Sequence, residues 1–200
     1  MLPIVLDMTS LRAAVVGGGV QACRRLQMLD EAGAEGVKVY CPDPSDEMQV
    51  LAGPRLERRP ICEDDITALA LVFVANESEA EADRITQLAR AGKTLVNVED
   101  VKPQCDFHVP ALVRRGDLLL TASSGGKSPA LARRLKGFLA ARFPESWAGY
   151  VEQIAAARED WRAQGLSFKD VTERSNALID EKGWLACQCP LTTDSSSKTS

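Results

Sequence analysis

Apolar and polar positions along this chain switch between two periods. Short, nearly continuous apolar runs fall at RAAVV (12–16), VKVY (37–40), ALALVFVAN (68–76) and TLVNV (94–98). Runs of that length between turn residues predict parallel strands buried on both faces. Between them the spacing becomes helical. Ala22, Leu26 and Leu29 share one face of a helix predicted from Val20 to Ala32, which Gly33 stops. Asn76–Ser78 caps a second helix reaching Ala91, with Ile85 and Leu88 inward and Gly92 at its end. A CPDPSD loop, a short helix over 47–53 and an edge strand over Leu56–Arg59 fill the interval. In residues 1–11, Leu2, Ile4, Val5 and Leu6 are expected to cover an edge of the core. Strands and helices alternating in this way indicate an α/β domain with a parallel, doubly wound sheet.

After Asp100 the rhythm changes. Residues 101–116 read as a loop and short strand, and 117–126 as a strand ending in a Ser/Gly turn. Ser128-Pro129 then opens a strong helix with Pro at its first position. Two more helices are predicted over 145–164 and 167–182. The polar stretch 186–200 is expected to be disordered.

Two hundred residues with 45% hydrophobic content suffice for a proper core. The net charge of −4 argues against a nucleic-acid partner. No apolar run approaches the roughly 20 residues of a membrane span. MLPIVLDM lacks the basic start and long apolar core of a signal peptide, so a cytoplasmic location is expected. Six cysteines are then expected to be reduced, with Cys23, Cys41, Cys62 and Cys105 mostly buried. Cys187 and Cys189 form a C-x-C that no second pair or nearby histidine completes into a zinc site, so no metal ligands are assigned.

The chemistry begins at RAAVVGGGVQACRR (12–25), where a strand ends in three glycines and a helix starts at once. Gly17, Gly19 and Ala22 fit the dinucleotide-binding turn G-x-G-x-x-G/A. Gly17 allows the tight turn, Gly19 lets a pyrophosphate approach, and Ala22 lets the helix pack close on the strand. The free N–H groups and dipole of that helix then hold phosphates. The acidic residue expected after the second strand to bind ribose is matched in part by Asp43. With no arginine there for a 2′-phosphate, the turn favours NAD over NADP. In such sheets ligands sit beyond the carboxyl ends of the strands, which carry Gly17–Gly19, Cys41–Asp43, Ala75–Glu77 and Asn97–Asp100.

The order N-V-x-D, C-D-F-x-x-P-A, S-S/T-G-G-x-S-P-x-L-A-R, in LVNVEDVKPQCDFHVPALVRRGDLLLTASSGGKSPALARRL behind VVGGGVQACRR, resembles the precorrin-2 dehydrogenase/sirohydrochlorin ferrochelatase family, the first module of siroheme synthase. The likeness covers about residues 1–150. It implies a Rossmann NAD-binding domain over 1–112, a dimerisation segment over 113–144 and a small helical domain over 145–185, the remainder being tail. It also implies a homodimer, and oxidation of precorrin-2 to sirohydrochlorin with NAD⁺. Some members also insert Fe²⁺, which is then a substrate.

Read alone, Asp100 is better explained as a loop aspartate capping a turn; the resemblance makes it the catalytic residue, placed to take a proton or position the macrocycle. By matched position Val20 and Gln21 touch the dinucleotide phosphates, Pro42 and Asp43 lie near the adenosine, and Ala75 and Asn76 line the nicotinamide side. Ser124 matches a serine near the tetrapyrrole, and equally a turn residue bonded to its own backbone. Gly125, Lys127 and Ser128 lead into a helix N-terminus suited to substrate carboxylates. Arg114, Arg115, Lys127, Arg133 and Arg134 form a local basic cluster, either for those carboxylates or simply solvated. His108 is either a relay or ligand, or a packed or surface residue.

Three positions depart from the family. Val20 replaces a common acidic residue, Ala75-Asn76-Glu77-Ser78 replaces A-T-D-D, and Val101 stands where a second acid often follows the catalytic one. These changes bear on cofactor affinity. Two rivals from other classes are therefore an NAD-sensing regulatory module, which leaves Asn97–Arg134 unexplained, and a tetrapyrrole carrier without dehydrogenase activity.

Overall fold

The four apolar runs become four adjacent strands of one parallel sheet. In the computed structural model, which describes residues 1–186, the strands are β1 (Arg12–Val16), β2 (Gly36–Tyr40), β3 (Leu56–Glu57), β4 (Leu71–Val74) and β5 (Leu95–Val98), in the order β3-β2-β1-β4-β5. Every pairing among them is parallel. The chain divides into a unit of residues 1–109, which holds this sheet, and a second unit beginning at Pro110.

Strand alternation sorts β1 onto two cores. Ala13 and Val15 pack with Ala22, Leu26, Leu29 and Met48 on one face. Ala14 and Val16 pack with Val72, Val74, Ile85 and Ala89 on the other. Helices α1 (Val20–Glu31) and α2 (Asp46–Ala52) cover the first face, and α4 (Glu79–Ala91) covers the second. This is the doubly wound Rossmann arrangement, with central strands apolar on both sides. Ser78 caps α4 by accepting a hydrogen bond from Glu81 N, and the helix carries Glu79 and Glu81 in its first turn.

Several expectations need correction. Leu2, Ile4 and Val5 do not cover the core; Leu2 is 83% exposed, and Met8 is the residue of this segment that is buried. An apolar run does not specify what buries it, and the first packing residue is Met8, shortly before β1. Cys62 is exposed rather than buried, at the N-cap of a helix the pattern did not predict, α3 (Glu63–Thr67). At five residues α3 is too short for a periodic signal; its capping Cys62 and Asp65 were the available clue.

Asp65 fastens this region. Its carboxylate accepts from both guanidinium nitrogens of Arg59 at 2.6 and 2.8 Å, from Tyr40 Oη at 3.1 Å and from Cys62 N at 2.9 Å. Arg59 also lies over the Tyr40 ring, 5.0 Å from its centroid. Burial, with Asp65 adding to it, pushes the Tyr40 hydroxyl up to about 12, while the Arg59 hydrogen bonds hold the Asp65 carboxyl far below the usual range.

In the second unit, β6 (Ala111–Arg115) and β7 (Leu118–Ala122) form an antiparallel hairpin. The helices α5 (Pro129–Arg142), α6 (Trp147–Ala163) and α7 (Phe168–Glu181) follow. Phe143, Trp147, Tyr150 and Trp184 form a chain of ring contacts 4.7–5.6 Å apart. Among the described residues no helix is long and apolar enough to cross a membrane.

The Asp65 carboxyl titrates lower in the folded than in the unfolded chain. Its stabilisation is therefore complete above the ordinary carboxylate range and is lost as pH falls. Asp65→Asn is expected to cost about 2 kcal/mol at neutral pH, measured by urea unfolding, and the difference from wild type should shrink steadily toward low pH.

Candidate functional site

The carboxyl ends of the parallel strands converge on the glycine turn. Gly17 N donates to Tyr40 O and Ala75 N donates to Val16 O, both at 3.0 Å, so β1 is tied to both neighbours where it ends. Gly17 has φ +119°, and a Cβ there would lie 1.8 Å from Ala75 O. Only glycine meets both demands. Gly18, which the motif leaves unspecified, is equally confined: a Cβ would lie 2.6 Å from Cys41 Sγ and 2.8 Å from Pro44 Cα.

Gly19 also makes room for a side chain from the next strand end. The space before it holds the Asn76 carboxamide, 2.7 Å from where a Cβ would stand, and Asn76 Oδ1 accepts from Ala22 N at 3.4 Å. This amide thereby engages an N–H of the first turn of α1. Gly19 is the N-cap of α1 and offers no side chain; the first turn holds no acidic residue. The Val20 side chain is exposed, and Gln21 accepts through Oε1 from Arg24 at 3.2 Å. An anion therefore meets backbone amides without a competing carboxylate in the first turn of that helix.

A polar cavity of about 740 Å³ opens at these strand ends, bordered by Gly18, Gly19, Pro42, Asp43, Asn76 and Glu77. A more apolar cavity of about 670 Å³ shares Pro42 and Glu77 with it and is walled by Tyr40, Pro60, Ile61 and Cys62. Pro42 and Asp43 are exposed at the join. Ala75 is buried, so its carbonyl rather than its side chain faces the turn. Burial, then the charge of Glu81, raises the Glu77 carboxyl above its ordinary value. A glycine turn without Cβ atoms, open amides, an exposed carboxylate and an adjoining apolar chamber suit a dinucleotide's pyrophosphate, ribose and adenine.

Asp100 stands at the carboxyl end of β5, exposed, with φ +60°. Asn76, at the end of the adjacent β4, has φ +63°. Two non-glycine residues in the left-handed region at neighbouring strand ends mark a place where side chains are aimed by the backbone. Around Asp100, the N-V-x-D and C-D-F motifs do structural work. Asn97 Nδ2 donates to Phe107 O at 2.8 Å, and Cys105 Sγ donates to Val98 O at 3.1 Å. Asp106 pairs with Val96 through both backbone and carboxylate, Asp106 N to Val96 O at 2.8 Å and Val96 N to Asp106 Oδ2 at 3.1 Å. This satisfies the open edge of β5 in place of a further strand. Sequence reading also missed Arg25 and Glu99, which form an ion pair across the unit.

In the second unit, the Ser124 hydroxyl accepts from Ser128 N and donates to Ser128 O, both at 3.0 Å. It thus closes the turn holding Gly125 and the exposed Lys127. Ser128 caps α5 by accepting from Leu131 N at 3.2 Å. Of the basic cluster, Arg133 and Arg134 are exposed. Arg115 is not available: its side chain is 13% exposed, pairs with Glu145 at 2.9 Å and donates to Phe143 O at 2.7 Å. His108 is a surface residue. Among the described residues no three His, Cys, Asp or Glu side chains group as metal ligands, and Cys187 and Cys189 lie outside those residues.

Residues 4–111 match the NAD(P)-binding family model NAD_binding_7. The siroheme synthase of Nitrosococcus oceani is 36% identical over 158 residues, 78% of this chain and 33% of that protein. That of Ectopseudomonas mendocina is 33% identical over 174 residues, 86% of this chain and 37% of that protein. The chain thus spans about a third of the length of these relatives. Among solved structures it is similar to SirC, precorrin-2 dehydrogenase, at 27% identity and a TM-score of 0.76, covering 93% of each chain.

Gly17→Ala should abolish NAD binding and cost about 3 kcal/mol or more of stability, since its Cβ must displace backbone rather than a flexible side chain. Calorimetry with NAD⁺ and thermal melts check both effects.

Proposed function

This chain belongs to the NAD(P)-binding precorrin-2 dehydrogenase/sirohydrochlorin ferrochelatase family, and we propose that it oxidises precorrin-2 to sirohydrochlorin with NAD⁺. One observation carries the reading. The likeness to a precorrin-2 dehydrogenase runs almost end to end in both chains, so it includes the second unit, which a bare NAD-sensing module would have no need of. Bound NAD⁺ supplies the hydride acceptor. The α1 amides hold its pyrophosphate, Asp43 takes the adenosine ribose hydroxyls, and the apolar chamber beside Tyr40 and Ile61 takes the adenine. The oxidation removes a hydride and a proton from the macrocycle. Asp100, exposed and without a cation partner among the described residues, is the group that accepts the proton or holds the ring for its loss. In the second unit, Ser124, Gly125 and Lys127 at the start of α5 bind carboxylates of the substrate.

Iron insertion is the finer part of the proposal. The relatives named siroheme synthase favour it. Two pyrrole protons must leave as Fe²⁺ enters, and Asp100 would accept them in turn; the iron passes through as substrate.

The protein works as a cytoplasmic homodimer through residues 113–144. Supporting this, α5 has no buried residue and exposes Leu131, Leu135 and Phe138 along its length.

Anaerobic turnover of precorrin-2 with NAD⁺ should yield sirohydrochlorin, followed by absorbance. Asp100→Ala should slow it by about 10²–10⁴-fold while still binding NAD⁺. Adding Fe²⁺ should give siroheme faster than a protein-free control. A protein that binds NAD⁺ and leaves precorrin-2 untouched would sink the dehydrogenase reading. Light scattering should give a dimer mass, and Phe138→Glu should shift it toward monomer.

A further inference from the structure

The exposed carboxylate of Asp100 has no side-chain partner of its own among the described residues, so its aim depends on the turn that carries it. That turn is tight. Glu99 N donates to Val74 O at 2.9 Å, the last bond between β4 and β5, and Val101 N donates to Val98 O at 3.3 Å. Cys105 Sγ secures Val98 O from behind. A left-handed aspartate between two such bonds is held against its own backbone preference.

The side chain next to Asp100 reaches back across the unit. Glu99 Oε2 accepts from both Nε and Nη2 of Arg25, with Nε at 3.1 Å. Both side chains are largely enclosed, 23% and 20% exposed, so solvent screens the pair less than a surface bridge. The guanidinium is also fixed in place: it lies 5.7 Å from the Phe73 ring centroid, and Phe73 meets Phe107 edge-on at 5.3 Å. Arg25 belongs to α1, whose register is set by buried Ala22, Cys23, Leu26 and Leu29. The pair therefore ties the turn bearing Asp100 to the helix whose first turn faces the dinucleotide.

We propose that Arg25 and Glu99 are positioning residues for Asp100, holding its turn in register with the cofactor-binding helix. The inference rests on the reading above in which Asp100 acts. The core fixes α1 without help from Arg25, so loss of the pair frees the turn and leaves dinucleotide binding in place.

The test compares wild type with Arg25→Met, Glu99→Gln and the swapped pair Arg25→Glu with Glu99→Arg. The readouts are precorrin-2 turnover and backbone amide exchange at Glu99 and Val101. Each single variant should lose about 10–100-fold in kcat with KM for NAD⁺ within about twofold. The two amides should exchange at least about tenfold faster, and the swap should restore most of both. Wild-type kcat in the single variants, or a rise in KM for NAD⁺ at unchanged kcat, overturns the inference. If wild type itself does not oxidise precorrin-2, the catalytic reading falls. The exchange measurement then decides the tie alone: unchanged protection of Glu99 and Val101 refutes it, and accelerated exchange supports it.

Discussion

The contact between Gly17 and the Ala75 carbonyl is the constraint on which the rest of the first unit depends. β1 is the central strand, and its carboxyl end must turn into α1 directly beneath the end of β4. No side chain fits in that crossing. The consequences spread outward through hydrogen bonds: Gly17 N to β2, Ala75 N back to β1, and Glu99 N on to β4. Four strand ends are thereby levelled at one edge. That edge is where α1 presents its amides, where the two cavities open, and where Asn76 and Asp100 take up left-handed backbone. The site is less a set of side chains than a backbone arrangement that a few side chains decorate.

What the sequence made legible follows from range. Strands apolar on both faces, helix faces and glycine stops are local patterns, and β1 and the capped α4 lie where those patterns put them. The glycine turn was local as well. The misses are of three kinds. α3 was too short for a period. The N-terminal apolar residues carry hydrophobicity without any sign of what packs on them. The Arg25–Glu99 and Asn76–Ala22 contacts join residues 74 and 54 positions apart, which no window along the chain can pair. Gly19 shows a use that the motif does not announce: the missing side chain makes room for the Asn76 carboxamide. Arg115 shows the reverse error, a charge counted as available that the fold has already used to fasten β6 to the segment after α5.

The distribution of ion pairs bears on how an acidic chain handles anionic ligands. In the first unit, among the described residues, Arg25, Lys38, Arg55, Arg59, Arg84 and Arg90 are each paired with a carboxylate. These pairs fasten helices and loops around the sheet. Asp43 and Glu77, by contrast, border the polar cavity, and neither they nor Asp100 belong to any such pair among the described residues. An arginine there would neutralise Asp100 and would welcome a 2′-phosphate beside Asp43. Neutral backbone amides at the first turn of α1 attract anions without quenching nearby carboxylates. The Arg25–Glu99 pair fits that division: adjacent to Asp100 in sequence, it contributes placement and almost no net charge.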